Sequence, residues 1–255
     1  DGAGDTLITG AIYNSTGTGI VAKNGTGTLI YQFANTYSGE TDINAGAIRV
    51  DVAPTAGTVY YLGNGGATAT AASLFLGGGS AGLSGGVSFN RNVIVNNGNG
   101  TNRIIGGTNT AGTNTFSGTI AMDGSFGENR SLNITAAVGG TVVFTNTISG
   151  PGQGITKSGA GTVILSGANS YSGNTTVSAG TLAMGSTASI ANSPSISVAS
   201  GATFDVSALP GGFVLGANQS LVLGGAGATI RGILDCGAGA ISLATDGVTP
   251  AGIIP

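Results

Sequence analysis

Two well-separated stretches of this chain, residues 23–50 and 157–184, are near copies of one another. The first reads KNGTGTLIYQFANTYSGETDINAGAIRV and the second KSGAGTVILSGANSYSGNTTVSAGTLAM, with 13 of 28 positions identical and no gap. The identities include Lys23/Lys157, Gly25/Gly159, Gly27/Gly161, Asn35/Asn169, Tyr37/Tyr171, Ser38/Ser172, Gly39/Gly173 and Gly46/Gly180. A shorter signature, Asn-Thr/Ser-apolar-Ser-Gly, begins at Asn35, Asn114, Asn146 and Asn169. The last two starts are separated by the length of one supersecondary unit in a solenoid. A unit this short cannot bury its own apolar edge, so it must seat on a neighbour of the same shape.

What varies between the copies is as informative as what is kept. Read at period two, Leu29, Tyr31, Ile43, Ile48 and Val50 correspond to Val163, Leu165, Val177, Leu182 and Met184, every pair apolar. The alternate positions drift: Asp42 becomes Thr176, Asn44 becomes Ser178 and Arg49 becomes Ala183. One face is held to bulk while the other accepts any polar residue, the pattern of strands with a buried and a wet side. Those ten apolar residues are the expected core. Glycine or a β-branched residue interrupts every window before a helical stripe can run three turns. Strand-forming runs closed by turn residues recur instead, as at residues 69–76, 86–95 and 140–144. The sequence therefore predicts an all-β chain folded as a parallel β-helix, a single β-solenoid over residues 1–255 with clear repeats at 23–50 and 157–184.

Composition then removes whole classes of chemistry. The chain has 255 residues with 7 basic and 10 acidic side chains, 50 glycines, one cysteine and no histidine or tryptophan. Without histidine there is no imidazole base and no Ser-His-Asp or Cys-His nucleophile. One cysteine gives no disulfide framework and no thiolate metal cluster. A net charge of −3 with scattered basic residues lacks the footprint of a nucleic-acid binder. No apolar run approaches the ~18 residues of a membrane-crossing helix. An apolar fraction of 40% argues against disorder. The first residues lack the charged and apolar regions of a signal peptide, and both ends read as cuts through a longer or processed chain.

The quoted stretches resemble the autotransporter-associated β-strand repeat, also called the passenger-associated transport repeat. Its pattern is close to G-x-G-T-L-x-L-x-G-x-N-T-Y-S-G-x-T-x-V-x-A-G-T-L. Gly159 to Leu182 follow it nearly throughout. Gly25 to Ile48 follow it less closely, with Gln32-Phe33 in place of the polar-Gly step and Ile48 in place of the last leucine. The segment from Ser189 through Asp205 is similar to what often succeeds such repeats. The resemblance implies a right-handed parallel β-helix in a secreted or surface protein of a diderm bacterium, where it helps the passenger fold as it crosses the outer membrane. It implies no activity.

Candidate sites are few. Residues 77–82 (GGGSAG) satisfy both G-x-S-x-G and G-x-G-x-x-G, a match that glycine abundance produces by chance and that no histidine or helix supports. A glycan-active enzyme, lyase or glycosidase, would need clustered carboxylates and a basic residue. The available set is Glu40, Asp42, Asp205, Asp235 and Asp246, with Arg231 nearby in sequence, and at least two must converge beside an arginine for that chemistry. Cys236 reads as a small core residue, and Tyr37 and Tyr171 read as packing residues rather than a stacking shelf for sugars. Seven Asn-x-Ser/Thr sequons (Asn14, Asn24, Asn99, Asn129, Asn133, Asn174 and Asn218) follow from composition. The expectation is therefore an extracellular structural or adhesive module, with no catalytic residues, metal or cofactor. Its expected partners are other copies of itself, packed laterally or into fibres, or surface glycans and receptors, with no nucleic acid and no membrane span in this segment.

Overall fold

The segment Thr162-Val163-Ile164-Leu165 shows why this chain extends: Val163 and Leu165 are buried while Thr162 and Ile164 are half-exposed. The same alternation recurs in Thr141–Phe144 and Thr181–Met184, and glycine-rich corners limit each run to a few residues. The structure, a computed structural model, describes residues 3–33, 35–51, 62, 67–69, 73–77, 86–96, 103–123, 130–244 and 252–254. Its strands pair in parallel and form sheets of eleven, eight and six strands, with one further two-stranded pair. In the middle of the column the chain visits the three large sheets in turn. Ile104–Gly107 lies in the eleven-stranded sheet, Thr113–Phe116 in the eight-stranded one and Ile120–Met122 in the six-stranded one, before Ser131–Ala136 returns to the first. This is a parallel β-solenoid.

Coil length is elastic. Leu29 stacks under Ile48 across a short coil, whereas Leu74 stacks under Ile105 across a much longer one. Only the strands must keep register, so the length between them is free to vary. Two of the expected strands are each divided between sheets. Residues 69–76 contain the end of Ala67–Ala69 and the whole of Ser73–Leu76, and residues 86–95 contain Ser88–Phe89 and Val93–Val95. Between Ser88–Phe89 and Val93–Val95 the chain passes from the eight-stranded sheet to the six-stranded one, because a three-sided coil of this size cannot accommodate one straight strand of that length.

The inward-facing side chains form continuous rows. In the eight-stranded sheet Phe89, Phe116, Phe144, Leu165 and Met184 lie one above the other, all essentially buried. Phe116 and Phe144 stack with centroids 5.0 Å apart and planes within 7°. Of the ten expected core residues, Tyr31, Ile43, Ile48, Val50, Val163, Leu165, Val177, Leu182 and Met184 are buried. Leu29 is only half-buried against the core, since the residue beneath it in register is exposed Thr6. The outward side of the eight-stranded sheet carries a row of six threonines in register: Thr113, Thr141, Thr162, Thr181, Thr203 and Thr229.

The two sequence copies do not occupy the same faces. In the first, Thr28–Tyr31 and Ala47–Val50 belong to the eleven-stranded sheet and Thr41–Ile43 to the six-stranded one. In the second, Thr162–Leu165 and Thr181–Met184 belong to the eight-stranded sheet and Thr175–Val177 to the eleven-stranded one. The second copy is thus turned by one face around the column. A repeat needs a matching layer beneath it, and any face supplies one.

Candidate functional site

The polar residues kept in both copies hold coil to coil. Lys157 stands in an inward-facing row, with Ile134 on one side and Val177 on the other, and is fully buried. Its ammonium reaches the corner and donates to the carbonyls of Ser158 (2.9 Å), Gly159 (2.8 Å) and, one coil on, Ala179 (2.9 Å). Three N–H donors meet three acceptors, which satisfies the group. Lys23 repeats the arrangement half-buried, donating to Gly25 O and to Ala45 O at 3.2 Å. Both corners close through a glycine in the left-handed region, Gly46 (φ 69°) and Gly180 (φ 62°). A Cβ on Gly46 would stand 2.5 Å from Gly25 O, and one on Gly180 would stand 2.5 Å from Gly161 O, so the preceding coil leaves no room for a side chain.

Asparagine serves the coil below. Asn35 Oδ1 accepts from Ile12 N at 2.7 Å and Asn169 Oδ1 from Ile148 N at 2.9 Å. Asn169 also donates to Gly167 O (2.9 Å) and Ser189 O (3.2 Å). Asn114 does the same for Val87 N at 3.0 Å. Asn146, which shares the short signature, is exposed. Tyr37 and Tyr171 are buried, each bonded to the threonine 4 residues on, Thr41 and Thr175. Thr175 passes the chain of bonds to Ser193 at 2.8 Å. Sequence identity singled out these residues. The missing signal was that the lysines and asparagines serve backbone groups of an adjacent coil and the tyrosines a threonine of their own, since a repeat shows what recurs and not what it touches.

Burial shifts these groups. Desolvation pushes Lys157 down to about 8 and lowers Lys23 as well. Burial raises the Tyr171 and Tyr31 hydroxyls far above their ordinary value, with Tyr37 adding to the effect on Tyr31. An unfolded chain holds its lysine proton up to a pH of about 10.4, so between pH 8 and that value it binds more protons than the folded one. Stability therefore rises with pH across this window. Beyond about pH 10, where unfolded tyrosines ionise, the buried tyrosines keep their protons and stability falls. The melting temperature is expected to climb by on the order of 5 °C between pH 7.5 and 9.5 and then drop. Lys157→Met should flatten the climb and leave the drop, as read by thermal unfolding across pH.

The carboxylates stay apart. Asp205 pairs with Arg231 at 3.6 Å and accepts from Ser207 N and Oγ. Asp235 accepts from Gly237 N in its own turn. Glu40 is exposed, and half-exposed Asp42 lies in the six-stranded sheet between Ala22 and Thr68. Asp42 lies in a strand just before the third strand of the eleven-stranded sheet, whereas Asp205 follows the ninth. Asp246 and residues 78–82 lie outside the described residues. The remaining pair, Arg49 and Asp51, is bidentate at 2.7 and 3.1 Å and ties neighbouring positions of one strand end. Among the described residues, no group of three or more His, Cys, Asp or Glu side chains could hold a metal, and no helix is long and apolar enough to cross a membrane. Cys236 corrects the expectation of a core residue: it is exposed, because it follows Leu234–Asp235 into a turn on the outer side of the coil.

Comparison with known proteins agrees with this architecture. The passenger-associated-transport-repeat family matches residues 21–50 and 155–184. Over 180 residues, 70% of the chain, the sequence is 33% identical to the adhesin BmaC autotransporter of Brucella suis biovar 1 (strain 1330). The chain spans 4% of the length of that relative. No solved structure matches the chain. The chain thus carries two such repeats on an autotransporter passenger-like β-solenoid, and its distant relative is an adhesin.

Proposed function

We propose that this segment is a structural and adhesive module of a passenger displayed on the surface of a diderm bacterium. The observation that carries the reading is the use of the repeated polar residues. Lys23/Lys157 and Asn35/Asn169 bond from coil to coil, and Tyr37/Tyr171 bond the threonines that reach the next coil, so the recurring sequence builds length rather than a reactive centre. The outward rows offer hydroxyls and methyl groups, a surface for contact. Bacteria displaying the segment are expected to bind host-cell or glycan-coated surfaces several-fold better than cells displaying an unrelated passenger. Equal binding by the two strains would overturn the reading. Low charge weakens repulsion between copies, so sedimentation is expected to show association at high concentration. A strictly monomeric profile would remove self-packing from the proposal.

A further inference from the structure

A groove of about 190 Å³ opens where the chain enters the eleven-stranded sheet. Four successive coils supply its walls: Arg130 and Ser131, then Gly152 and Gly154, then Ser172 to Asn174, then Pro194. Ser131 and Gly154 are in register, and a Cβ on buried Gly154 would run into the Asn174 backbone of the next coil. The groove therefore lies outside this glycine, beside the exposed side chains of Arg130, Ser131 and Asn174. The first sequence copy provides an internal comparison. With Lys23 aligned on Lys157, Ile20 falls on Gly154 and Glu40 on Asn174. The Ile20 side chain lies over Gly39, its Cγ2 2.9 Å from where a Cβ on that glycine would be. One copy is filled and acidic at this position, and the other is open with an amide.

Among the described residues, the one charged side chain lining the opening is a cation, in a chain whose net charge is −3. Arg130 is exposed at the groove. Arg103, buried in the preceding coil, has its guanidinium pushed down by burial and then by the positive charge of Arg130, with Asp123 acting in the opposite direction. Among the described residues, no acidic side chain lines the groove. Ser172 Oγ already accepts from Gly152 N at 2.7 Å, which leaves its hydroxyl proton to donate outward. Ser131 and Asn174 add exposed donors and acceptors. Glycine on the floor lets a ligand approach the backbone.

We infer that this groove binds a single carboxylate-bearing sugar ring, the arginine fork of Arg130 taking the carboxylate and Ser131, Ser172 and Asn174 the ring hydroxyls. An arginine fork matches a carboxylate in shape as well as charge, and serine and asparagine both donate and accept, as sugar hydroxyls require. The inference rests on the adhesive reading and names the ligand class for it.

The test uses saturation-transfer NMR and calorimetry on the purified chain with sialyllactose, trigalacturonate and lactose. One or both acidic sugars are expected to bind and lactose is not. A response to sialyllactose alone assigns the source to sialylated glycans, and a response to trigalacturonate alone assigns it to uronic polymers. Arg130→Ala and Asn174→Glu, the latter reproducing the acidic residue of the first copy, should each weaken binding at least tenfold. Both side chains are exposed, so circular dichroism and melting should match the parent. Binding of lactose as well as the acidic sugars, or undiminished binding in both variants, overturns the site. Adhesion by displaying cells with no acidic sugar bound overturns the groove and leaves the adhesive reading standing. Sugar binding without adhesion does the reverse.

Discussion

Gly180→Ala is expected to lower the stability of the chain by about 3 kcal/mol, against about 1 kcal/mol for Gly201→Ala, where the left-handed strain of ~1–2 kcal/mol acts alone. Both glycines have positive φ, 62° and 72°. They differ in what lies beneath. A Cβ on Gly180 would stand 2.5 Å from Gly161 O and 2.6 Å from Gly159 O, whereas one on Gly201 meets nothing within 4 Å. The extra cost at Gly180 is that of overpacking, ~1–3 kcal/mol, exerted through backbone that cannot move without lifting the coil. At about 2–4 °C per kcal/mol for a chain of this size, the two variants should separate clearly in thermal unfolding. Equal losses would mean that the spacing between coils yields easily.

Asn169→Ala is the second large effect, a loss of about 1–3 kcal/mol, the cost of leaving the buried Ile148 N unpaired. It removes the acceptor for Ile148 N and the donor to Gly167 O and Ser189 O. A corner stacked between coils admits water poorly, so solvent does not replace them. Asn146→Ala is the matched control. Its side chain is exposed, so the change should stay within about 0.5 kcal/mol. Urea unfolding of the two variants checks the contrast, and similar midpoints would show that the buried amide is replaceable by solvent.

That contrast marks how far the sequence can be read. Asn146 and Asn169 begin the same short signature, yet only one is buried, because the following residues place them differently relative to a corner. The alternation of Val163 and Leu165 with Thr162 and Ile164 was legible, since it reports a face. So was stacking, since a repeat of this length has no other way to bury its apolar edge. Lys157 was visible as an identity but not as a core position, because a lysine in an apolar row makes sense only once its three carbonyl acceptors are known. The rotation of the second copy by one face was not legible either. It depends on the summed lengths of the intervening corners, and coils as unlike as those joining Leu29 to Ile48 and Leu74 to Ile105 carry no fixed signature. Cys236 misled for a related reason: apolar neighbours such as Ile233 suggest burial, but Ile233 is itself 66% exposed. The groove beside Arg130 is lined by short residues drawn from four coils, and nothing in the linear sequence brings those residues together.

The row of six threonines from Thr113 to Thr229 has a consequence for how such a rod behaves in different waters. Its hydration is carried by hydroxyls repeated at the strand spacing of about 4.8 Å, and hydroxyls have no ion atmosphere to lose. Charge-based solubility weakens as salt shortens the screening length from roughly 30 Å at 0.01 M to about 8 Å at physiological strength. A flank wetted by neutral groups has little to screen, so fresh water, brackish mud and host fluid present it with nearly the same solvent.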